Sequence, residues 1–313
     1  MKQIHELKTA LPLFKCLGSE IRVNILELLL ARGTMCMADI ASELRITGGS
    51  LSPHIRELEE NGLITVTSVP GKHGILRLCS VCDQQIFIDI IRNPEEVGRY
   101  ESEIAVGQYT GYSVYPTCGI STPEHLIGVE DDPCHFASPE RVDAGILWMG
   151  HGYVEYIIPN YLKPGQELKE LLISMEISSE APGYQEDWPS DITFSINGID
   201  VCTWTLPGDF GKVRGIYTPR WWNENWNQYG QLKFLSVDHA GSYIDGIRRS
   251  GITLRDLNIR PGTALGLRIS APANARHSGG LTIFGRSFGN YNQDIKVRME
   301  YTGAVETRSV SDP

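Results

Sequence analysis

Residues 46–63, ITGGSLSPHIRELEENGL, constrain this chain most, because Leu51, Ile55 and Leu58 recur only at helical spacing. Thr47 stands where an N-cap belongs, and Gly62 follows the last apolar position, where helices commonly stop. Gly49, Ser50, Ser52, Pro53 and Arg56 fall on the opposite side. Small and hydroxyl side chains early in a helix, with an arginine, suit insertion into a DNA major groove. Pro53 removes a backbone donor and fits best in a first turn. The helix is therefore expected to begin near Gly49 or Ser50, or to bend at Pro53. Alone, the pattern describes any amphipathic surface helix equally well; its neighbours decide.

Upstream, residues 4–16 carry apolar residues at helical spacing, with Pro12 able to divide or kink them. Ser19 can cap a second helix running to Ala31, which Gly33 closes. A short helix over 37–44 and a turn at Arg45-Ile46 complete a helix-turn-helix. Downstream, 63–69 and 74–81 read as two strands around the turn Pro70-Gly71-Lys72-His73-Gly74. That hairpin is a wing, with Lys72 and His73 at its tip and Lys72 in reach of a phosphate or the minor groove. Residues 85–91 fit a dimerisation helix or a strand; their β-branched run favours the strand slightly.

In this order LFKCLGSEIRVNILELLL and SLSPHIRELEENGLI resemble the winged helix-turn-helix of ArsR-type bacterial transcriptional regulators, over about 80 residues. The resemblance implies that Ser50, Ser52, His54 and Arg56 occupy the DNA-facing segment, with Thr47 at its start. His54 sits nearer the apolar flank, where buttressing is as good a role as base contact. Many such regulators bind metals through paired cysteines before the recognition helix or Asp/His sets on a last helix. Here the first place offers only Cys36 and 83–92 has no histidine, so no metal or other cofactor is expected. Cys79 and Cys82 have knuckle spacing, but Cys118 and Cys134 would have to converge on them from far along the chain.

Charge is unevenly placed. Residues 1–92 hold ten basic and ten acidic residues, and the remainder holds eighteen and twenty-eight, so all of the net −10 lies there. Any nucleic-acid surface must lie in the first part and act through local patches, which makes a dimer the expected reader. No apolar run approaches a membrane span and the first residues are not a secretory signal, so a cytoplasmic location is expected.

Residues 93–140 read as a connector: a short helix over 95–103, then irregular, proline-rich backbone packed on the second domain. Cys118 near His125 or Glu124 could be drawn as nucleophile and base, but no spacing supports it. From 141 to 313, short strand-like runs recur between Gly, Pro and Asn, at 145–149, 153–158, 170–178, 191–196, 201–206, 231–237, 264–269, 281–284 and 294–301. Asn197-Gly198 is the strongest hairpin signal. Number and spacing predict an antiparallel β-sandwich, jelly-roll-like, so the chain is a multidomain α+β protein. The glycines at 279–280 and 285–289 suit bends between strands better than a phosphate loop.

Four of the six tryptophans fall within 204–226. Trp204, Asp209, Arg214, Trp221, Trp222, Trp226 and Tyr229 set flat aromatic faces beside polar groups, as sugar recognition requires. The bland reading is that these rings pin a long loop onto the sandwich. The second half also resembles the C-terminal region of a group of ArsR-like regulators, through PTCGISTPEHLIG, LPGDFGKVRGIYTPRWW and GGLTIFGRSFGNYNQDI. That resemblance implies no particular ligand.

Together these readings predict a homodimeric transcriptional regulator that binds double-stranded DNA at a palindromic operator and senses a small molecule, a sugar among the candidates. No enzymatic activity and no membrane association are expected. Two alternatives stay open: a sandwich that holds a protein partner, and a carbohydrate-active enzyme using Asp209 with Glu224 as its carboxylate pair.

Overall fold

The computed structural model describes residues 2–4, 7–71, 74–82, 86–88 and 97–303. The chain divides into two compact units, Met1–Pro94 and Glu95–Pro313.

In the first unit, strand β1 (Lys2–Ile4) precedes α1 (Leu11–Leu17), α2 (Glu20–Arg32), β2 (Met35–Cys36), α3 (Met37–Glu43) and α4 (Gly48–Glu60). The wing comes next as β3 (Ile64–Gly71) and β4 (Gly74–Val81), and β5 (Ile86–Ile88) pairs in parallel with β1. The helix expected over 4–16 is thus shorter: Pro12 lies in the first turn of α1, where its missing N–H costs nothing, and starts the helix instead of kinking it. Within 85–91, residues 86–88 are strand; the others, like the wing tip Lys72 and His73, lie outside the described residues.

Thr47 caps α4 by accepting from the Ser50 backbone N–H at 3.2 Å. The far end closes through Leu63 N–H to Leu58 C=O and Gly62 N–H to Glu59 C=O, both 2.9 Å, a Schellman closure. Helix α4 begins at Gly48 and runs through Pro53, earlier than the proline seemed to allow. The cap and the apolar anchors Leu51, Ile55 and Leu58 offset the single backbone bond lost. Those three pack with Leu13, Ile25, Leu29 and Ile40 in one core.

The second unit is antiparallel throughout its described pairings. Its strands are β6 (Gly98–Ile104), β7 (Gly111–Ser121), β8 (Ile146–Ile158), β9 (Glu167–Ser178), β10 (Ser190–Ile196) and β11 (Ile199–Leu206). They continue as β12 (Gln231–Val237), β13 (Ser242–Ile244), β14 (Ile247–Ser250), β15 (Leu265–Ala271), β16 (Leu281–Phe284) and β17 (Ile295–Thr302). One leaf runs β7-β8-β15-β10-β11 and the other β6-β17-β9-β12-β13-β14. Strand β16 joins them: its Ile283 pairs with Leu147 of β8 and Ile177 of β9, all fully buried. At the other margin β11 packs on β13 and β14, so the sandwich is nearly closed. Alternate residues such as Tyr156, Ile173, Phe194, Ile269 and Val297 fill the space between the leaves.

Two expectations are corrected here. The stretch read as a helix and irregular connector supplies strands β6 and β7, because β17 and β8, far along the chain, offer their edges. The runs 145–149 and 153–158 are one strand, β8, that continues through Gly152. The Asn197-Gly198 turn is as expected: φ of 51° and 79° needs a glycine at the second position.

Candidate functional site

At the N-cap and along α4, Thr47, Ser50, Ser52 and Arg56 are exposed on the sides away from the core, while Leu51, Ile55 and Leu58 are buried. His54 is half-buried at the flank of the helix, and its Nδ1 is buried without a hydrogen-bond partner. Arg56 Nε donates to Glu60 Oε1 at 2.7 Å, and Glu59 lies 4.0 Å from Arg77 of the wing. The acidic residues of α4, Glu57, Glu59 and Glu60, cluster at its C-terminal end, and its N-terminal turn carries none.

Residues 19–66 match the model of the bacterial regulatory protein, arsR family. This segment is an arsR-family helix-turn-helix. A transcriptional regulator homologue from Pyrococcus horikoshii OT3 is 30% identical, over 23% of this chain and 76% of that one, with a TM-score of 0.20. The Agl-KA catalytic domain is 10% identical over 53% of this chain and 23% of that one (TM-score 0.22). Dimeric latent PorU from Porphyromonas gingivalis is 9% identical over 76% and 19% (TM-score 0.24). This chain therefore spans less than a quarter of either of those two proteins. No curated protein matches the chain. The arsR-type unit carries the DNA-binding character of a transcriptional regulator, and no helix among the described residues is long and apolar enough to cross a membrane.

The second unit builds its own site where β16 joins the leaves. Trp148, on the outer face of β8, packs on Trp222 with ring centroids 5.8 Å apart at 83°, and Trp222 packs on Trp226 at 4.7 Å and 72°. The Trp148 ring lies so close over Gly119 that a Cβ there would come within 2.2 Å of it. Beside the rings opens a cleft of about 80 Å³, bordered also by Thr117, Glu130, Asp131, Glu180 and Asn227. Glu180 is its polar anchor. Oε1 accepts from Thr117 Oγ1 at 3.1 Å, and Oε2 accepts from Thr282 Oγ1 at 2.8 Å and Asn227 Nδ2 at 3.0 Å. Asp209 is fully buried behind it, taking the Ala181 N–H on Oδ2 at 3.0 Å while Oδ1 has no donor. Burial raises both carboxyls, and the Asp209 charge raises Glu180 further.

Of the seven residues expected to form a ligand site, Trp222 and Trp226 line the cleft and Asp209 lies behind it. The other four are elsewhere or structural. Trp204 is on β11, with Lys233 Nζ 4.6 Å and Arg249 Cζ 4.4 Å from its ring centroid. Arg214 donates to the carbonyls of Pro219 and Trp222, fastening the loop to itself. Trp221 is 42% exposed and donates to the Pro123 carbonyl, and Tyr229 stacks on Phe210 at 5.3 Å. Trp148, Thr117, Asn227 and Glu180 escaped the sequence reading. The one signal was Glu180 itself, an acid closing the polar run Ser178-Ser179-Glu180 after an apolar strand.

Glu224 is exposed and paired with Arg214, whereas Asp209 is buried, so the two do not face one another across the cleft. Cys118 is buried and its thiol is pushed up to about 11 by burial and nearby acids, the opposite of an activated nucleophile. Among the described residues no group of His, Cys, Asp and Glu has metal-holding geometry. Cys79 and Cys82 belong to the first unit, Cys118 and Cys134 to the second.

Proposed function

We propose that this protein is a homodimeric transcriptional regulator: the arsR-type unit reads a palindromic operator and the sandwich senses a small molecule in the Trp148–Trp222–Trp226 cleft. The observation that carries the reading is the exposed face of α4 within the arsR-family segment, with Thr47, Ser50, Ser52 and Arg56 over a buried apolar stripe. Two such helices related by a twofold would meet successive major grooves about 34 Å apart. A surface supports the second copy. Leu7, Leu11, Phe14 and Leu17 recur three or four apart, each more than a third exposed, a density of exposed apolar groups that a pairing face explains.

The cleft supports the effector role because it combines rings, a buried carboxyl and an opening at a joint between leaves. A ligand there acts on DNA only as far as it prefers one dimer geometry over another. The unit is a sensor and not a catalyst in this reading. Mobility shift of the DNA upstream of its own gene, across a salt series, tests the regulator. A shift that weakens linearly in log affinity against log salt is expected; no shift of any upstream fragment at low salt sinks it.

A further inference from the structure

We propose that the Trp148–Trp222–Trp226 cleft receives a methylated ammonium group, the cationic head of a small quaternary ammonium compound. The inference rests on the reading of this cleft as the effector site and names the class of ligand.

Size comes first. At about 80 Å³ the cleft is far below the roughly 300–1,000 Å³ of pockets that enclose a whole drug-sized ligand. It seats one compact head group and leaves no room for a disaccharide.

Charge comes second. Glu130, Asp131 and Glu180 border the cleft, and no lysine, arginine or histidine does among the described residues. Three indoles crossing near right angles line one corner of the cleft, and an indole π face is the surface a diffuse cation prefers. A neutral sugar meets the acidic border through hydrogen bonds alone, whereas a cation also gains the charge attraction.

Hydrogen bonding separates methylated from primary ammonium. Glu180 already accepts from Thr117, Asn227 and Thr282, so three of its roughly four lone-pair sites are occupied. A primary ammonium brings three donors and loses its water to enter. A methylated head brings none and needs only the rings and the charge.

The acids give the binding a signature. Asp209 and Asp131 are the acids acting on Glu180, with Glu130 on the border and the neutral Thr117, Asn227 and Thr282 around it. Burial and these neighbouring acids raise the Glu180 carboxyl in the empty cleft. An entering cation favours the carboxylate and lowers the Glu180 carboxyl again, so binding strengthens as pH rises and is accompanied by proton release to solvent. A sugar drives no such release.

The test titrates the full-length protein with choline chloride, its neutral isostere 3,3-dimethylbutan-1-ol, and glucose, reading tryptophan fluorescence and calorimetry in two buffers of different ionisation enthalpy. Saturable choline binding is expected, at least about tenfold tighter than the alcohol, with protons released on binding. Trp226→Ala and, separately, Glu130→Gln at the rim should each weaken choline about tenfold while circular dichroism stays unchanged. Equal binding of choline and the alcohol, or no choline response, overturns the proposal. Saturable glucose binding that Trp226→Ala removes, without a choline response, also overturns it yet leaves the cleft as the effector site of a neutral ligand. Loss of the operator shift is a separate result and bears only on the regulator reading.

Discussion

Arg56 donates through Nε to Glu60 Oε1 at 2.7 Å, one turn further along the recognition helix. The exposed cation on the outer side of α4 is therefore held by an acid of its own helix. Such an exposed i,i+4 pair is weak and exchanges readily for a phosphate or a guanine edge. Glu60→Gln should tighten operator binding about two- to fivefold by freeing Arg56 and removing a negative charge near the phosphates. Arg56→Ala should weaken it by about tenfold or more, beyond the effect of any single substitution in the acidic second unit. Fluorescence anisotropy at one fixed salt concentration measures both, and an unchanged affinity for Arg56→Ala would remove this residue from the interface.

The exposed apolar residues of α1, with Leu7 in the turn before it, make a prediction about assembly. Phe14→Glu places a charge among Leu7, Leu11 and Leu17 without touching the buried Leu13 and Cys16 on the other side. Light scattering should then report a monomer whose far-ultraviolet spectrum is unchanged, with operator affinity lowered at least about tenfold because each copy reads a half-site alone. A dimer that persists in Phe14→Glu would place the pairing surface elsewhere.

Neighbouring tryptophans should respond differently to truncation. Trp222 is 2% exposed, touches Trp148, Trp226 and Phe288, and donates through Nε1 to the Asn227 carbonyl at 2.8 Å. Trp222→Ala should cost about 3–5 kcal/mol of the second unit's stability. Trp221, 42% exposed with its indole N–H on the Pro123 carbonyl, should cost about 1 kcal/mol. Chemical denaturation compares them; equal losses would contradict the assignment of Trp222 as the loop's anchor.

Acidity should stabilise the sandwich. Glu176 is fully buried and burial pushes its carboxyl up to about 7, against the pull of backbone N–H groups from Gly230, Asn290 and Tyr291 at 2.8–2.9 Å. An unfolded glutamate releases its proton near 4.5. Between those values the folded chain holds a proton that the unfolded chain has lost, so stability falls as pH rises, and levels off above about 7. The effect is on the order of a few kcal/mol. Melting of the second unit should move to lower temperature from pH 5 to pH 8, and Glu176→Gln should flatten part of that slope. A melting temperature that climbs over this range would contradict it.

Much of the first unit was legible in the chain, because its determinants are local. The N-cap at Thr47, the stop at Gly62 and the stripe of Leu51, Ile55 and Leu58 all act within one helix, and their order matches a known module. Most strands of the sandwich were legible for the same reason, through alternation and turn residues such as Asn197-Gly198. Strands β6 and β7 were not. Glu103 pairs with Lys296 and Tyr112 with Val154, and a strand whose partner is that far along the chain leaves little local trace.

The tryptophan cluster divides along the same line. Composition alone marked the loop as one that must bury rings or bind with them. Which ring does which was decided by the fold. Trp222 is a core residue, Trp204 lies beside two cations on another part of the sandwich, and Trp148 arrives from β8 to complete the corner. Glu180, Thr117, Asn227 and Thr282 meet only because β16 joins the leaves and the loop folds over that joint. Helical period and capping are properties of neighbouring residues, and the sequence determines them directly. A cleft lined by residues up to 110 positions apart, Thr117 to Asn227, is set by long-range strand pairing and packing, which only the tertiary structure supplies.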